Sequence, residues 1–565
     1  MLRNLLDAPI RLISRGPAGF FRPVVLLVLL ATAVAVQAQG VAPPQWSSQQ
    51  LAQMGDMLGQ GRRLESESRW DEALVLYEKA VRQFPNEPGL KHRFDTTRMH
   101  YDVRRRFNDA SFRAAIDRLT LEQALGLYEE VLVRIQSHYV ESPDWRELVA
   151  QGLNNFEVAM SEPAFVERHL KNCPAERIDA ARRVLREDLV RRTILNRADA
   201  IAAVGDAART AQRELGISPV AVVFEFNCGA TNSLDLYSAY LTPDQLDEIY
   251  SQIEGNFVGL GIELKPLDGR LTIVRVIPHS PAEAAGLLAN DQILAIDGRN
   301  VQEMPNDEAA NLLQGKEGSR VELVVAAPGQ SPRTIRAQRR RVDVPSIDEV
   351  KIVDAQRGIG YLRLTCFQKS TSHDLDDALW QLHRDGMRGG LIMDLRSNPG
   401  GLLISAVEAV DKFVAEGVIV STRGRDPREG FTYSARSPGT WTVPLIVLID
   451  HDSASAAEIF AGAIRDHRRG TIIGQRSYGK GSVQGIFPLH SHSSGIRLTT
   501  AKFYSPNGHP FNLVGVTPDR VVQTVARPVD GAIRPEQDAT LADALQYART
   551  ALSQPTSPSY ARVQR

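Results

Sequence analysis

The sequence predicts a multidomain chain with three architectures in series: an all-helical N-terminal region, a compact β-rich domain, and an α/β core. Three observations predict them. Apolar residues recur at helical spacing from residue 39 to about 250. From about 253 the pattern changes to short strands parted by turns. From about 345 continuous apolar strands alternate with helical stretches, the order of a largely parallel sheet covered by helices. The length of 565 residues agrees, since about 150 residues per domain implies three or four domains.

Taking the elements in order, Arg3, Arg11, Arg15 and Arg22 precede the apolar run Val24 to Val36, which ends in Val36-Gln37-Ala38. A basic lead, a short apolar run and a small-x-small site are the marks of an export signal. Residues 1–38 are therefore read as a signal peptide, and the chain as exported to the periplasm or another extracytoplasmic space. The apolar run is shorter than the roughly 20 residues that span a bilayer. The long basic lead leaves a retained membrane anchor as the alternative.

Residues 39–115 form the first helical region. In "RWDEALVLYEKAVRQFPNEP", Ala73, Leu74, Leu76, Tyr77, Ala80, Val81 and Phe84 fall at helical spacing, and Pro85 and Pro88 end the run. The stretch resembles the second helix of a tetratricopeptide repeat, with Gln49 to Ser66 as its first. Residues 116–252 continue in helices, including "EQALGLYEEVLVRI" at 122–135. Residues 253–343 read as strand, turn, strand, a short helix opened by Ser280-Pro281, and a strand closed by Asp297-Gly298, followed by a helix over 306–313 and a strand over 320–326.

Residues 344–525 carry strands over 358–365, 390–394, 445–449 and 471–473, with helices near 372–385, 402–415 and 455–467. Sites in such sheets form beyond the carboxyl ends of the strands, where "DLRSNPGG" and "DHDSASAAEIF" stand. Residues 526–565 hold one helix, Ala539 to Ala551, and a Pro/Ser-rich tail of the composition that stays disordered.

Composition excludes some functions. With 66 basic against 67 acidic residues and a net charge of -1, nothing argues electrostatically for nucleic acid. Cys173, Cys228 and Cys366 are too few for a disulfide framework; a Cys173–Cys228 bridge and three buried thiols both remain open.

The stretch "GQRSYGKGSVQ" has the G-x-x-x-x-G-K spacing of a phosphate-cradling loop, but Gly481 stands where such a loop needs Ser or Thr. A strand-like run stopped by Pro488 follows, not a helix, so Lys480 needs another task. Ser455 lies where a buried strand has turned into a helix, and unpaired N–H groups at a helix start favour an oxyanion. Ser455-x-x-Glu458 also fits a capping box. His451 and His467 lie nearby without an evident role as a base, and "HSH" at 490–492 reads as a turn. Lysine serves as a base when burial lowers its pKa, and Lys480 has Tyr478, Val483, Ile486 and Phe487 around it in sequence.

In order and spacing, "DHDSASAAEIFAGAIRD", "GQRSYGKGSVQ", "RLTTAKFYSPNGHPF" and "GVTPD" resemble the active-site blocks of the C-terminal processing peptidases, or tail-specific proteases. "GIGYLRLTCF" and "GGLIMDLRSNPGGLL" match the preceding blocks, and "NSLDLYSAYLTPDQ" and "FVGLGIEL" match the entry to the family's PDZ domain, so the resemblance covers about 120 to 525. It implies a PDZ domain at 253–343 and a serine protease core of the crotonase and Clp-protease kind at 344–525. It implies Ser455 as nucleophile, Lys480 as general base, Gln484 orienting the lysine, and backbone N–H groups of Gly401 and Ala456 as oxyanion donors. Gly259, Leu260, Gly261 and Ile262 match the loop and strand start that take a substrate's C-terminus, with pockets favouring apolar tails. The partners implied are proteins or peptides with accessible C-termini. An adaptor or cell-wall enzyme on the helical N-terminal region is a further candidate partner, and no metal, nucleotide or other cofactor is implied. Asp235-Leu236 departs from the family's usual Asp-Pro, and Ala457 from its frequent serine. Two rival readings are a catalytically silent scaffold that binds tails, and acyl-CoA chemistry on the same kind of core; the Ser/Lys pair disfavours both.

Overall fold

Ser47 opens the first helix of the described chain with a capping box: its hydroxyl accepts from Gln50 N–H, and the Gln50 side chain accepts from Ser47 N–H. The helix runs Ser48–Ser66, turns at Ser68, and returns as Trp70–Gln83. Ala73, Tyr77, Ala80 and Phe84 are buried, as their spacing predicts, with Met57, Leu90 and Phe94. The Tyr77 ring lies directly on Gly61, where a Cβ would stand 2.3 Å from it. These residues belong to the first of two units, which ends at Arg98; the second begins at Met99.

The structure is a computed structural model that describes residues 46–551, apart from 524–537 and the short stretches 86, 268–269, 302–303, 305–308, 310–311, 314, 427, 429 and 437–439. The expected signal peptide, the tail and most of the helix over 306–313 lie outside the described residues. Among those described, no helix is long and apolar enough to cross a membrane.

The second unit begins in helices. Val103, Phe107, Phe112 and Ile116 enter its core, so packing divides the helical region ahead of residue 115. The helix Pro219–Asn232 is mostly apolar and is buried on every side from Val220 to Thr231, as a central helix must be. One buried ionic group crosses it: Glu225 pairs with Arg106 and accepts from Asn155 Nδ2 at 2.7 Å. The thiols are free, so the Cys173–Cys228 bridge left open by the sequence does not form, and burial pushes the Cys228 thiol up to about 12.

A two-stranded stalk leads into the β-rich domain, Asn256–Gly259 antiparallel to Arg340–Asp343. Beyond it, the strands Ile262–Leu267, Arg270–Val276, Gln292–Ile296, Arg320–Ala326 and Arg333–Gln338 form an antiparallel sheet in that spatial order. Ile262–Leu267 is therefore an edge strand.

The α/β core is a six-stranded sheet ordered Ile347–Asp354, Ile359–Leu364, Gly390–Asp394, Leu445–Ile449, Gly470–Gly474 and Arg520–Val521. The first pair is antiparallel and the others are parallel. Alternate side chains leave opposite faces of a strand. Leu391, Met393, Leu445 and Val447 thus pack on one face with the helices Thr371–Arg384, Leu403–Asp411 and Ala456–Asp466. Ile392, Ile446, Leu448 and Ile473 pack on the other with the helix Ala539–Ala551. The strand after the lysine runs Ser482–Leu489, through Pro488, which pairs with Gly495 in a hairpin with Ser494–Tyr504. Proline does not stop it as expected, because the strand lies at the end of a hairpin where one missing N–H is tolerated.

Candidate active site

The loops that leave four neighbouring parallel strands carry Phe367, Asn398–Gly401, Ser455 and Lys480, all at the carboxyl edge of the sheet, where sites form in this architecture. Ser455 precedes the helix Ala456–Asp466 and has φ +55 and ψ -113. A side chain seldom tolerates that conformation, and strain of this sort persists where surrounding bonds over-determine it.

Those bonds converge on Glu458. Its Oε2 accepts from the Ser455 N–H at 2.8 Å and the Lys480 N–H at 2.8 Å. Its Oε1 accepts from Ser477 Oγ and the Gly479 N–H, each at 2.6 Å. The sequence reads this residue as half of a capping box, and that half is present. Its larger task is to join the Ser455 turn to the Lys480 loop. Burial raises the Glu458 carboxyl, against which its four donors favour the charged form. Four donors and no acceptor around two oxygens suit a carboxylate.

Lys480 falls to about 8, first through burial, then through the Arg497 charge, with Glu458 and Asp235 acting in the opposite sense. Its Nζ lies 4.7 Å from the centre of the Tyr237 ring. Phe487, near Lys480 in sequence, stacks on His138 with ring centres 4.4 Å apart. Tyr237 supplies cover from far upstream, in the "NSLDLYSAYL" segment. Asp235 shapes that segment: its Oδ1 accepts from the Tyr237 and Ser238 N–H groups at 2.7 Å each. This Asx turn forms with Leu236 in place of proline.

The Asn398-Pro399-Gly400-Gly401 turn is held at both ends. Asn398 Nδ2 donates to Leu364 O, its Oδ1 accepts from Gly400 N–H, and its backbone carbonyl accepts from Ala454 N–H. Phe367 bridges the far end, donating to Gly400 O and accepting from Leu402 N–H. Gly400 has φ +98 and lies against the nucleophile turn, where a Cβ would stand 2.8 Å from Ala456 N and 2.8 Å from Ser455 Cβ. Among the described residues, the Gly401 and Ala456 N–H groups donate to no hydrogen bond found. Asn398, Gly400 and Phe367 were not singled out from sequence; the glycine pair was the signal for them.

Gln484 Nε2 donates to Ser482 Oγ at 2.8 Å and Thr499 Oγ1 at 3.3 Å, not to the lysine. His451 is exposed, beside Asp452. His467 is half-buried and its Nε2 meets Val418 O at 2.7 Å. The His490–His492 stretch is the hairpin turn, and Glu130 accepts from the His490 and Ser491 N–H groups.

A serine on a strained turn at a helix start, a desolvated lysine and a glycine turn between a strand and a helix define a hydrolase site on an α/β core. Residues 358–522 match the peptidase family S41 profile and residues 272–326 match a PDZ domain. The chain is 40% identical over 301 residues to the carboxy-terminal-processing protease of Bartonella bacilliformis, covering 52% of this chain and 68% of that protein. It is 36% identical to the carboxyl-terminal-processing protease of Synechocystis, covering 51% and 67%. The solved photosystem II D1 C-terminal processing protease aligns with 75% of this chain and 99% of its own, at 25% identity and a TM-score of 0.39. The chain belongs to peptidase family S41, the C-terminal processing peptidases, and is a serine-type peptidase with a PDZ domain.

Proposed function

We propose that this protein is an exported endopeptidase that engages the C-terminal tails of protein substrates on its PDZ domain and cuts them with a Ser455/Lys480 dyad. The observation that carries the reading is the Glu458 carboxylate, which ties the backbone of Ser455 to that of Lys480 while burial lowers the lysine to about 8.

Lys480 Nζ takes the Ser455 Oγ proton as Oγ attacks the scissile carbonyl carbon, and the carbonyl π electrons move to oxygen. The Gly401 and Ala456 N–H groups donate to that oxyanion. Collapse expels the amine, which receives the proton from Lys480 and leaves an ester on Ser455. Lys480 then draws a proton from water as its oxygen attacks the ester carbonyl, and returns that proton to Ser455 Oγ as the acyl C–Oγ bond breaks and the carboxylic acid product leaves. Gln484, with its amide nitrogen spent on Ser482 and Thr499, orients the lysine through its carbonyl oxygen.

Tail binding is assigned to Gly259, Leu260, Gly261 and Ile262. The Leu260 and Gly261 carbonyls accept from Ala282 and Ile277 N–H groups, which leaves the N–H side of the loop for a carboxylate. The edge strand Ile262–Leu267 then takes the peptide as an added strand. The helical pair 48–83, read as tetratricopeptide-like, is assigned to an adaptor or cell-wall enzyme. The core's parallel order is of the crotonase and Clp-protease kind.

The test uses a disordered substrate with an apolar C-terminus, free or masked by charged residues. Cleavage of the free-tail form, lost in Ser455→Ala and in Lys480→Ala, is expected. Tail binding without Ser455-dependent cleavage would instead make the chain a scaffold.

A further inference from the structure

The family match ends at residue 522, yet a contact from beyond it leads into the Asn398–Gly401 turn. Arg396 is buried between the strand Gly390–Asp394 and that turn, and its guanidinium lies between two carboxylates. To Asp394 it donates through Nε at 2.9 Å and Nη2 at 2.5 Å. To Asp538 it donates through Nη1 and Nη2, both at 2.7 Å. Asp538 also starts the helix Ala539–Ala551, accepting from Leu541 N–H at 3.0 Å. Burial alone would raise the Asp538 carboxyl, but Arg396 holds it below its ordinary value.

Among the described residues, two other ion pairs hold this helix, Arg520 with Asp543 and Arg549 with Asp354. Of the three, the Arg396 pair is the one that leads into the turn. The Arg396 N–H donates to Asp394 Oδ1 at 2.9 Å, and the next residue, Ser397, has φ +59 and donates its N–H to Asp450 Oδ1 at 2.9 Å. A planar guanidinium with a carboxylate on each side has one orientation. Removing one carboxylate frees it to tilt and loosens the start of a strained turn.

We propose that Asp538 is a positioning residue for the peptidase reaction: through Arg396 it fixes the entry to the turn that carries the Gly401 N–H. The C-terminal helix is then part of the catalytic unit, an inference that rests on the oxyanion role assigned to that turn.

The test compares the parent with Asp538→Asn, which keeps the shape, Asp538→Glu, which keeps the charge, and Arg520→Ala, which loosens the same helix elsewhere. Asp538→Asn is expected to lower kcat on a peptide substrate about tenfold or more with KM nearly unchanged, since misplacing a catalytic donor acts on the transition state. It is also expected to speed amide hydrogen exchange across residues 395–402. Asp538→Glu recovers part of both, and Arg520→Ala changes neither. Exchange at 395–402 equal to the parent's in Asp538→Asn overturns the proposal. So does an Arg520→Ala variant that reproduces both changes, or a Glu variant no better than Asn. If the parent shows no Ser455-dependent cleavage, the oxyanion reading fails by itself while the exchange comparison still decides the latch.

Discussion

Lys480 near 8 at the end of a desolvated loop sets the direction of the pH dependence. On the proposed dyad the neutral amine is the working form, so kcat/KM is expected to rise with pH and level off above about 8. A stopped-assay pH series measures it, and a flat profile from pH 6 to 9 would remove lysine as the base. Lys480→Arg, whose guanidinium stays protonated, is expected to be inactive across the same range. Glu458 makes a second prediction at this scale. Glu458→Gln places an amide NH2 against backbone donors, leaving one or two of them unsatisfied at about 1–3 kcal/mol each. Both the melting temperature and kcat should fall. Gly400→Ala puts a methyl within 2.8 Å of Ala456 N and Ser455 Cβ at φ +98. The turn must shift, and loss of nearly all turnover with tail binding retained is the expected result.

At the scale of elements, Gly61→Ala tests the N-terminal helix pair. Its methyl would overlap the Tyr77 ring, and overpacking of this kind costs about 1–3 kcal/mol. Hydrogen exchange should quicken over Ser48–Ser66 and Trp70–Gln83 while turnover of a short peptide stays at the parent level. Much of the element plan was legible in the sequence for a physical reason. The strands Gly390–Asp394 and Leu445–Ile449 are buried at every position, and apolar but for Asp394, because both faces of the sheet are covered, and such runs declare their ends. Ser455 and Lys480 were legible as motifs. Glu458 was half legible, since a capping box shows a local partner but not the distant N–H groups of Gly479 and Lys480. Tyr237, Phe367 and Asp538 were not legible as site neighbours. Each meets the site through a long-range contact, and periodicity reports only which face of an element is apolar.

For the whole molecule, the stalk pairing of Asn256 with Asp343 brings the two ends of the β-rich domain side by side. Replacing residues 257–342 by a short glycine linker should therefore preserve the core. Turnover of a short peptide is expected to persist, and discrimination between free and masked tails to vanish; equal discrimination in the shortened chain would place tail recognition elsewhere. The cover over Lys480 has a different consequence. Tyr237, from the helical end of the second unit, and Glu458, from the core, both act on a residue in a loop that the chain reaches only later. On the proposed dyad, Lys480 becomes a base only once its loop has closed on segments from earlier in the chain, since burial is what lowers it to about 8. A chain whose Tyr237 segment has not yet packed would thus carry the proposed nucleophile beside an ordinary, protonated lysine, and unfinished folding is expected to leave it unable to cut.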